Sequence, residues 1–153
     1  MLTTKTKYGL RALMELARLQ PRNELTTAAS IARQQKIPLK FLEAILLELK
    51  NHGVVTSKRG PDGGYSLTED PAKIRLGRIV RMLDGPLAPT PCVSQEHYQK
   101  CDDCVDESTC ALRGVMKDVR NAIAQVLDGT TLRDLSDQAD ELAEAGSAPM
   151  YYI

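Results

Sequence analysis

Apolar positions recur at helical spacing through most of the chain, and the breaks in that rhythm mark its parts. Tyr8, Ala12, Leu13, Leu16 and Ala17 form one stripe that Thr3 or Thr4 can open and Pro21 ends, which predicts a first, core-facing helix. Thr26 or Thr27 opens a second, shorter helix through Ala28, Ala29, Ile31 and Ala32, ending near Lys36. After a turn through Ile37, Pro38 suits the first turn of a third helix, where its missing N–H is not needed. Leu42, Ile45, Leu46 and Leu49 give that helix one apolar face, and Gly53 is a natural C-terminal stop. Two short helices across a tight break are what a helix-turn-helix requires, the second being placed to enter a major groove.

The period then shortens. Val54-Val55-Thr56-Ser57, Arg59-Gly60-Pro61-Asp62-Gly63-Gly64 and Tyr65-Ser66-Leu67 read as strand, tight loop and strand, a β-hairpin wing. Asp70-Pro71 interrupts the chain, and Ile79, Val80 and Leu83 predict a short helix before Gly85. Pro86, Pro89 and Pro91 cannot continue it, so a linker follows.

From Ala111 to Asp128 the residues Leu112, Val115, Met116, Val119, Ile123, Val126 and Leu127 make a stripe about five turns long, closed by Gly129. Too little chain remains to cover it. Pairing with a second copy is therefore expected, packing back on the first helix being the alternative. Thr131 with Asp134 resembles a capping box opening a last short helix through Leu135 and Leu142, and the tail from Gly146 is expected to fray. The expected fold is mainly α with a small β-hairpin. A winged helix-turn-helix domain spans 1–84, a linker and cysteine loop 85–110, a dimerisation helix and C-terminal helix 111–145, and a tail 146–153.

Charge sharpens this picture. The net charge is zero, but residues 1–81 hold 15 Lys/Arg against 7 Asp/Glu, and residues 82–153 hold 5 against 13. A basic half attracts the DNA backbone, and an acidic half keeps its own face off the phosphates. No apolar run reaches the ~18 residues of a membrane span, and no apolar signal core follows the basic N-terminus, so a soluble, cytoplasmic protein is expected.

On the third helix Lys40, Phe41, Glu43 and Ala44 lie near the N-terminal end, where base edges are normally met. Lys40 can take a phosphate or guanine, Glu43 can accept from a cytosine amino group, and Phe41 or Ala44 can touch a thymine methyl. Phe41 could equally belong to the core, and Glu43 could simply be solvated. In the wing, Lys58 and Arg59 sit beside Gly60, Gly63 and Gly64, which allow close approach to the sugar-phosphate wall, with Tyr65 following. Arg59 suits a narrow minor groove, while Lys5, Lys7 and the helix start at Thr27 can fix register on phosphates. The glycine-rich loop lacks the ending of a P-loop and the spacing of a dinucleotide fingerprint.

All four cysteines, Cys92, Cys101, Cys104 and Cys110, fall within nineteen residues in the order C-x8-C-x2-C-x5-C. Without an export signal, metal or redox chemistry is favoured over disulfides. Structural zinc and an iron-sulfur cluster both use four-thiolate shells, and oxidisable free thiols are a third reading. Asp102, Asp103, Asp106 and Glu107 nearby raise thiol pKa values and argue against a catalytic thiolate, and His97 is a possible substitute ligand. No nucleophile-base pair or open catalytic metal shell emerges, so an enzyme is not expected.

Leu2-Thr3-Thr4-Lys5-Thr6-Lys7-Tyr8, Ile37-Pro38-Leu39-Lys40-Phe41-Leu42-Glu43 and Arg59-Gly60-Pro61-Asp62-Gly63-Gly64-Tyr65, followed by cysteines and a long helix, together resemble the Rrf2 family of bacterial winged-helix regulators. The resemblance runs from residue 2 to about 135 and is most specific in the wing. It implies a homodimer crossed through the helix at 111–128, a double-stranded and pseudo-palindromic DNA operator, and an iron-sulfur cluster, [2Fe–2S] or [4Fe–4S], altering operator affinity. Glu43 and Arg59 match residues that read DNA in such regulators. Cluster-binding members usually show three cysteines. The gap from Cys104 to Cys110 fits their last interval, whereas Cys92 to Cys101 is longer than common. Arg113 stands where the cluster regulator carries a histidine, and Tyr8 stands where some members supply a carboxylate; which three cysteines ligate, or whether all four do, is open, Cys101 being one candidate replacement that would make an all-cysteine site. A zinc or thiol-switch regulator, and an iron-sulfur electron carrier, are the competing readings.

Overall fold

A computed structural model describes residues 2–147, with helices α1 (Thr4–Leu19), α2 (Ala28–Gln35), α3 (Leu39–Asn51), α4 (Leu76–Asp84), α5 (Ala111–Gly129) and α6 (Leu132–Ser147). Strands β1 (Val55–Lys58) and β2 (Gly64–Leu67) pair antiparallel, with Val55 opposite Leu67 and Lys58 opposite Gly64. The mainly helical class with one hairpin is as the apolar periods imply.

Local chemistry sets the boundaries. Thr3 caps α1 by accepting the Thr6 amide, and Thr27 caps α2 by accepting the Ser30 amide at 3.1 Å. Lys36 closes α2 in the left-handed region at φ 52°, and Ile37 then donates to the Ala32 carbonyl at 2.9 Å. Pro38 stands just before α3 rather than inside its first turn. At the other end, Gly53 at φ 74° completes a Schellman closure in which Val54 donates to Leu49 and Gly53 to Lys50, both at 2.9 Å.

One core joins the pieces. Ala12, Leu13 and Leu16 of α1 meet Ile31 of α2, the Leu42, Ile45, Leu46 and Leu49 face of α3, and Val54, Val55 and Leu67 at the wing root. Ile74, Leu76, Ile79 and Leu83 close one end, and Leu132, fully buried at the start of α6, completes it. α6 is therefore not an appendage. Its first turn is stitched to the segment before α4 by Leu132 donating to Ile74 at 2.8 Å and Leu76 donating to Thr130 at 3.0 Å. Thr131 and Asp134 exchange the expected capping bonds at 2.8 and 3.1 Å. The helix is longer than the short one expected, passing through Gly146 to Ser147, and most of the expected tail lies outside the described residues.

α5 is held differently. None of its residues is buried, and Leu112, Val115, Val119 and Val126 are exposed at 62%, 56%, 39% and 64%. Its C-terminal end is fixed to α4 by Arg81, which donates to both oxygens of Asp128 at 2.6 and 2.9 Å. Gly77 makes room for that pair, since a β-carbon there would sit 1.9 Å from the Asp128 carboxylate.

The wing is a small but constrained unit. Thr26 and Tyr65 exchange backbone bonds at 3.3 and 2.7 Å, so the residue before the α2 cap forms a third rung beside β2. Gly64 lies against this rung at φ 150°, and a β-carbon there would meet Thr26 backbone atoms at 2.6 Å.

Backbone atoms cannot move aside as a side-chain tip can. Gly64→Ala is therefore expected to destabilise the fold by about 1–3 kcal/mol, read as a lower urea midpoint at unchanged slope. The Arg81 guanidinium, chiefly by hydrogen bonding, holds the Asp128 carboxyl below its ordinary range; burial opposes this, and the Arg81 charge adds a smaller lowering. A depressed carboxyl stabilises the fold above the ordinary carboxylate pKa and loses that contribution as pH falls through its folded value. Asp128→Asn should accordingly lower the urea midpoint at neutral pH, and the gap to wild type should close as pH falls below about 4.

Candidate DNA-reading surface and cysteine loop

Because residues 42, 45, 46 and 49 of α3 face inward, residues 40, 43, 44 and 47 must face outward. Lys40, Glu43 and Ala44 are exposed, and Leu47, absent from the sequence expectation, stands beside them at 56%. Phe41 lies at the rim, neither core nor free: it is 39% exposed and meets the Tyr8 ring edge-on with centroids 5.7 Å apart. The Arg11 guanidinium lies 5.8 Å from that Tyr8 ring on α1 and also donates to the Gln35 carbonyl at the end of α2. These contacts fix the two helices of the motif against α1. Tyr8 thus serves the helix-turn-helix, which agrees with its lack of a carboxylate for any metal.

The wing carries Lys58, Arg59 and Gly60 in the open, with Gly63 donating back to Gly60 at 3.0 Å to tighten the loop. Lys50 of α3 donates to Ser57 of β1 at 2.8 Å, so recognition helix and wing are joined directly. Thr27 is exposed at the start of α2. Two sequence-chosen residues are placed otherwise. Tyr65 is half-buried in the bridge to Thr26, where its ring packs against the core, so its part is to anchor the wing. Lys5 turns inward, pairing with Glu48 of α3 at 2.7 Å and donating to the Leu83 carbonyl at the end of α4 at 3.2 Å. Lys7 is left as the exposed cation of that turn. Nothing in local sequence marks Lys5 for this, because both partners are distant in the chain.

Beyond α4 the chain runs to α5 with two 3-10 turns, Pro91–Val93 and Glu107–Thr109, and no regular helix. Cys92 is buried, its sulfur 3.4 Å from the Thr90 hydroxyl, and the other three thiols are more open. Cys104 donates its amide to the Cys101 carbonyl at 3.1 Å, forming the tight turn that C-x2-C spacing permits. Cys110 caps α5, its sulfur accepting the Arg113 amide at 3.4 Å. A hydrogen bond with the Cys92 sulfur pushes the Cys101 thiol above its ordinary range, and desolvation does the same for Cys104. Both are protonated at neutral pH, which is wrong for a catalytic nucleophile and leaves them as ligands that a cation would deprotonate. His97 is exposed, its backbone amide bonded to the Ser94 hydroxyl at 3.0 Å. The loop is braced by Tyr98 donating to Glu107 at 2.6 Å and by Asp106 capping the second turn.

The donor set of four thiols in one loop suits a soft metal or an iron-sulfur cluster. In this conformation, however, no three His, Cys, Asp or Glu side chains among the described residues are close enough to share an ion. Two arginines tie the loop to the rest of the chain. Arg120 of α5 donates to the Val93 carbonyl at 2.6 Å, beside Cys92, and Arg81 of α4 pairs with Glu96 at 3.3 Å as well as with Asp128. Asp84, three residues beyond Arg81, accepts the Thr3 amide at 2.9 Å and the Thr3 hydroxyl. Lys5 continues the series to Glu48 on the recognition helix.

Among the described residues no helix is long and apolar enough to cross a membrane. Residues 2–138 match the sequence pattern of the Rrf2 family, described as iron-dependent transcriptional regulators. An Rrf2-like helix-turn-helix regulator of Rhodobacter capsulatus is 44% identical over 137 residues, which cover 88% of this chain and 91% of the relative. The structure of CymR, the global cysteine regulator of Bacillus subtilis, superposes with a TM-score of 0.75 at 35% identity, covering 90% of this chain and 97% of that one. The IscR structure of T. potens gives 0.72 at 30% identity, covering 99% and 94%. With a helix-turn-helix, a wing, a cysteine loop and a long exposed helix in that order, and relatives that regulate transcription rather than catalyse reactions, this chain belongs to the Rrf2 family of DNA-binding transcriptional regulators.

Proposed function

We propose that the chain acts as a homodimer on a pseudo-palindromic operator, and that an iron-sulfur cluster in the cysteine loop sets its affinity for that DNA. The uncovered apolar face of α5 supports the dimer, since Leu112, Val115, Val119 and Val126 would be shielded only by another surface. Lys40, Phe41, Glu43, Ala44 and Leu47 are available for the major groove. Lys58, Arg59 and Gly60 at the wing tip suit the adjacent minor groove, Gly63 shapes that tip, and Lys7 and Thr27 suit phosphates. Lys5 and Tyr65 hold these surfaces in place.

The observation that carries the sensing half is the concentration of all four cysteines in one braced loop, linked through Arg120 and Arg81 to the DNA-binding body. Cys92, Cys101, Cys104 and Cys110 would hold the cluster, with the acidic residues around them disfavouring an added electron. When bound, a cluster supplies a centre whose loss or nitrosylation is a chemical signal. Drawing the buried Cys92 toward such a centre would pull on Val93, and the Arg120 and Arg81 bonds would pass that displacement to α4 and so to Lys5 and α3. Nearness of Cys92 to Cys101 favours a second reading in which bare thiols are the sensor. Zinc would make the loop purely structural.

Anaerobic purification with a visible spectrum and iron, sulfide and zinc assays decides among these, with operator binding measured before and after metal removal. A coloured iron- and sulfide-bearing protein whose DNA affinity changes on cluster loss is expected. A colourless zinc protein with unchanged binding would overturn the sensing reading. Serine at all four cysteine positions should abolish both the colour and the response to nitric oxide while leaving DNA binding itself. Arg59→Ala should weaken operator binding by about 1–3 kcal/mol and relax sequence preference at one position, measured by fluorescence anisotropy.

A further inference from the structure

Lys40, Glu43, Ala44 and Leu47 are all exposed on α3, and their spacing of i, i+3, i+4 and i+7 sets them within about 100° of one another around the helix. A helix lying in a major groove presents a stripe of that spacing to successive base edges. Lys40 and Glu43 bring charge to the stripe. Ala44 and Leu47 bring only apolar surface, and Leu47 is the most open large apolar side chain of the helix at 56%. Phe41 lies off the stripe, about 100° further round from Lys40, and is held edge-on by Tyr8.

A single exposed leucine is ordinary on a protein surface. This one is set apart by its position. One turn beyond it Lys50 is bonded to Ser57 of β1, so Leu47 stands between the reading end of α3 and the wing. The 15 Lys/Arg against 7 Asp/Glu of residues 1–81 draw the DNA backbone to the same half of the chain. On the floor of a major groove the base pairs offer hydrogen-bonding atoms, and their one apolar group is the C5-methyl of thymine. A leucine beside an alanine can make no hydrogen bond there and gains only by covering that methyl.

We propose that Leu47, with Ala44 beside it, reads the C5-methyl of a thymine in the operator and so is a specificity-determining residue. The proposal rests on the placement of α3 in the major groove. Shielding one methyl group from water is worth about fourfold in affinity, which separates thymine from cytosine at that position without any hydrogen bond.

The test begins with duplexes selected from a random-sequence pool by the full-length protein, as purified and after metal removal, the tighter-binding preparation being carried forward. Each thymine of the best duplex is then replaced in turn by deoxyuridine, which removes only the C5-methyl, and affinities are read by fluorescence anisotropy. For wild type at least one replacement should weaken binding about threefold or more. Leu47→Ala should weaken binding to the unmodified duplex by a similar factor and be indifferent to that same replacement. Leu47→Met, which keeps the bulk, should keep the sensitivity. Both variants should match wild type in circular dichroism and melting, because Leu47 lies outside the core. No deoxyuridine effect beyond about twofold, or equal losses for wild type and Leu47→Ala at every sensitive thymine, would overturn the proposal. If Lys40→Ala weakens binding in that case, α3 still occupies the groove and the methyl reading alone fails. If Lys40→Ala and Leu47→Ala are both without effect, the placement of α3 in the groove fails with it.

Discussion

Burial of Leu42, Ile45, Leu46 and Leu49 against α1 is the constraint on which the rest of the molecule turns. A helix with one side committed to the core has only its other side to offer, so Lys40, Glu43, Ala44 and Leu47 are presented outward without any further device. The same packing holds the start of α1 beside α3, which is why Lys5 can reach Glu48 and the end of α4 at once. Hydrophobic burial supplies the rigidity here, and the half-exposed ion pairs laid over it supply little stability of their own. What those pairs add is connection between elements that the core alone would leave independent.

That connection runs in an orderly way. Arg120 touches the backbone next to Cys92, Arg81 touches both the loop and α5, Asp84 anchors the start of α1, and Lys5 reaches the recognition helix. Each step is short and each partner lies on a different element. The cysteine loop therefore has a continuous series of contacts to α3, through α4 and not through the wing. The wing has its own fastening in the Thr26 bridge and the Lys50–Ser57 bond, which keeps its tip in fixed relation to α3.

Much of this was readable in the sequence wherever a periodic pattern or a local capping residue does the work. The α3 stripe, the Thr27 cap, the Gly53 closure and the Thr131–Asp134 box each depend on residues a few positions apart, and each stands where its spacing implies. The internal contacts of Lys5 and Tyr65 were not readable, for the opposite reason. Their partners, Glu48 and Thr26, lie far along the chain, and a lysine near a basic N-terminus looks the same whether it faces phosphate or carboxylate. The length of α6 was also hidden, because Gly146 reads as a stop while the helix continues past it. The cysteine loop has no period at all, so spacing could name its four thiols without giving their separations.

Leu132, fully buried yet forty-eight residues beyond the end of α4 at Asp84, has a consequence for how the protein is made. A chain leaving the ribosome folds from its first residues onward, yet here the amino-terminal core stays incomplete until the start of α6 has emerged. By then the segment bearing Cys92 to Cys110 has already been synthesised. A nascent chain thus has all four thiols synthesised before its nucleic-acid-binding half is finished, so the loop is complete before the first encounter with a promoter.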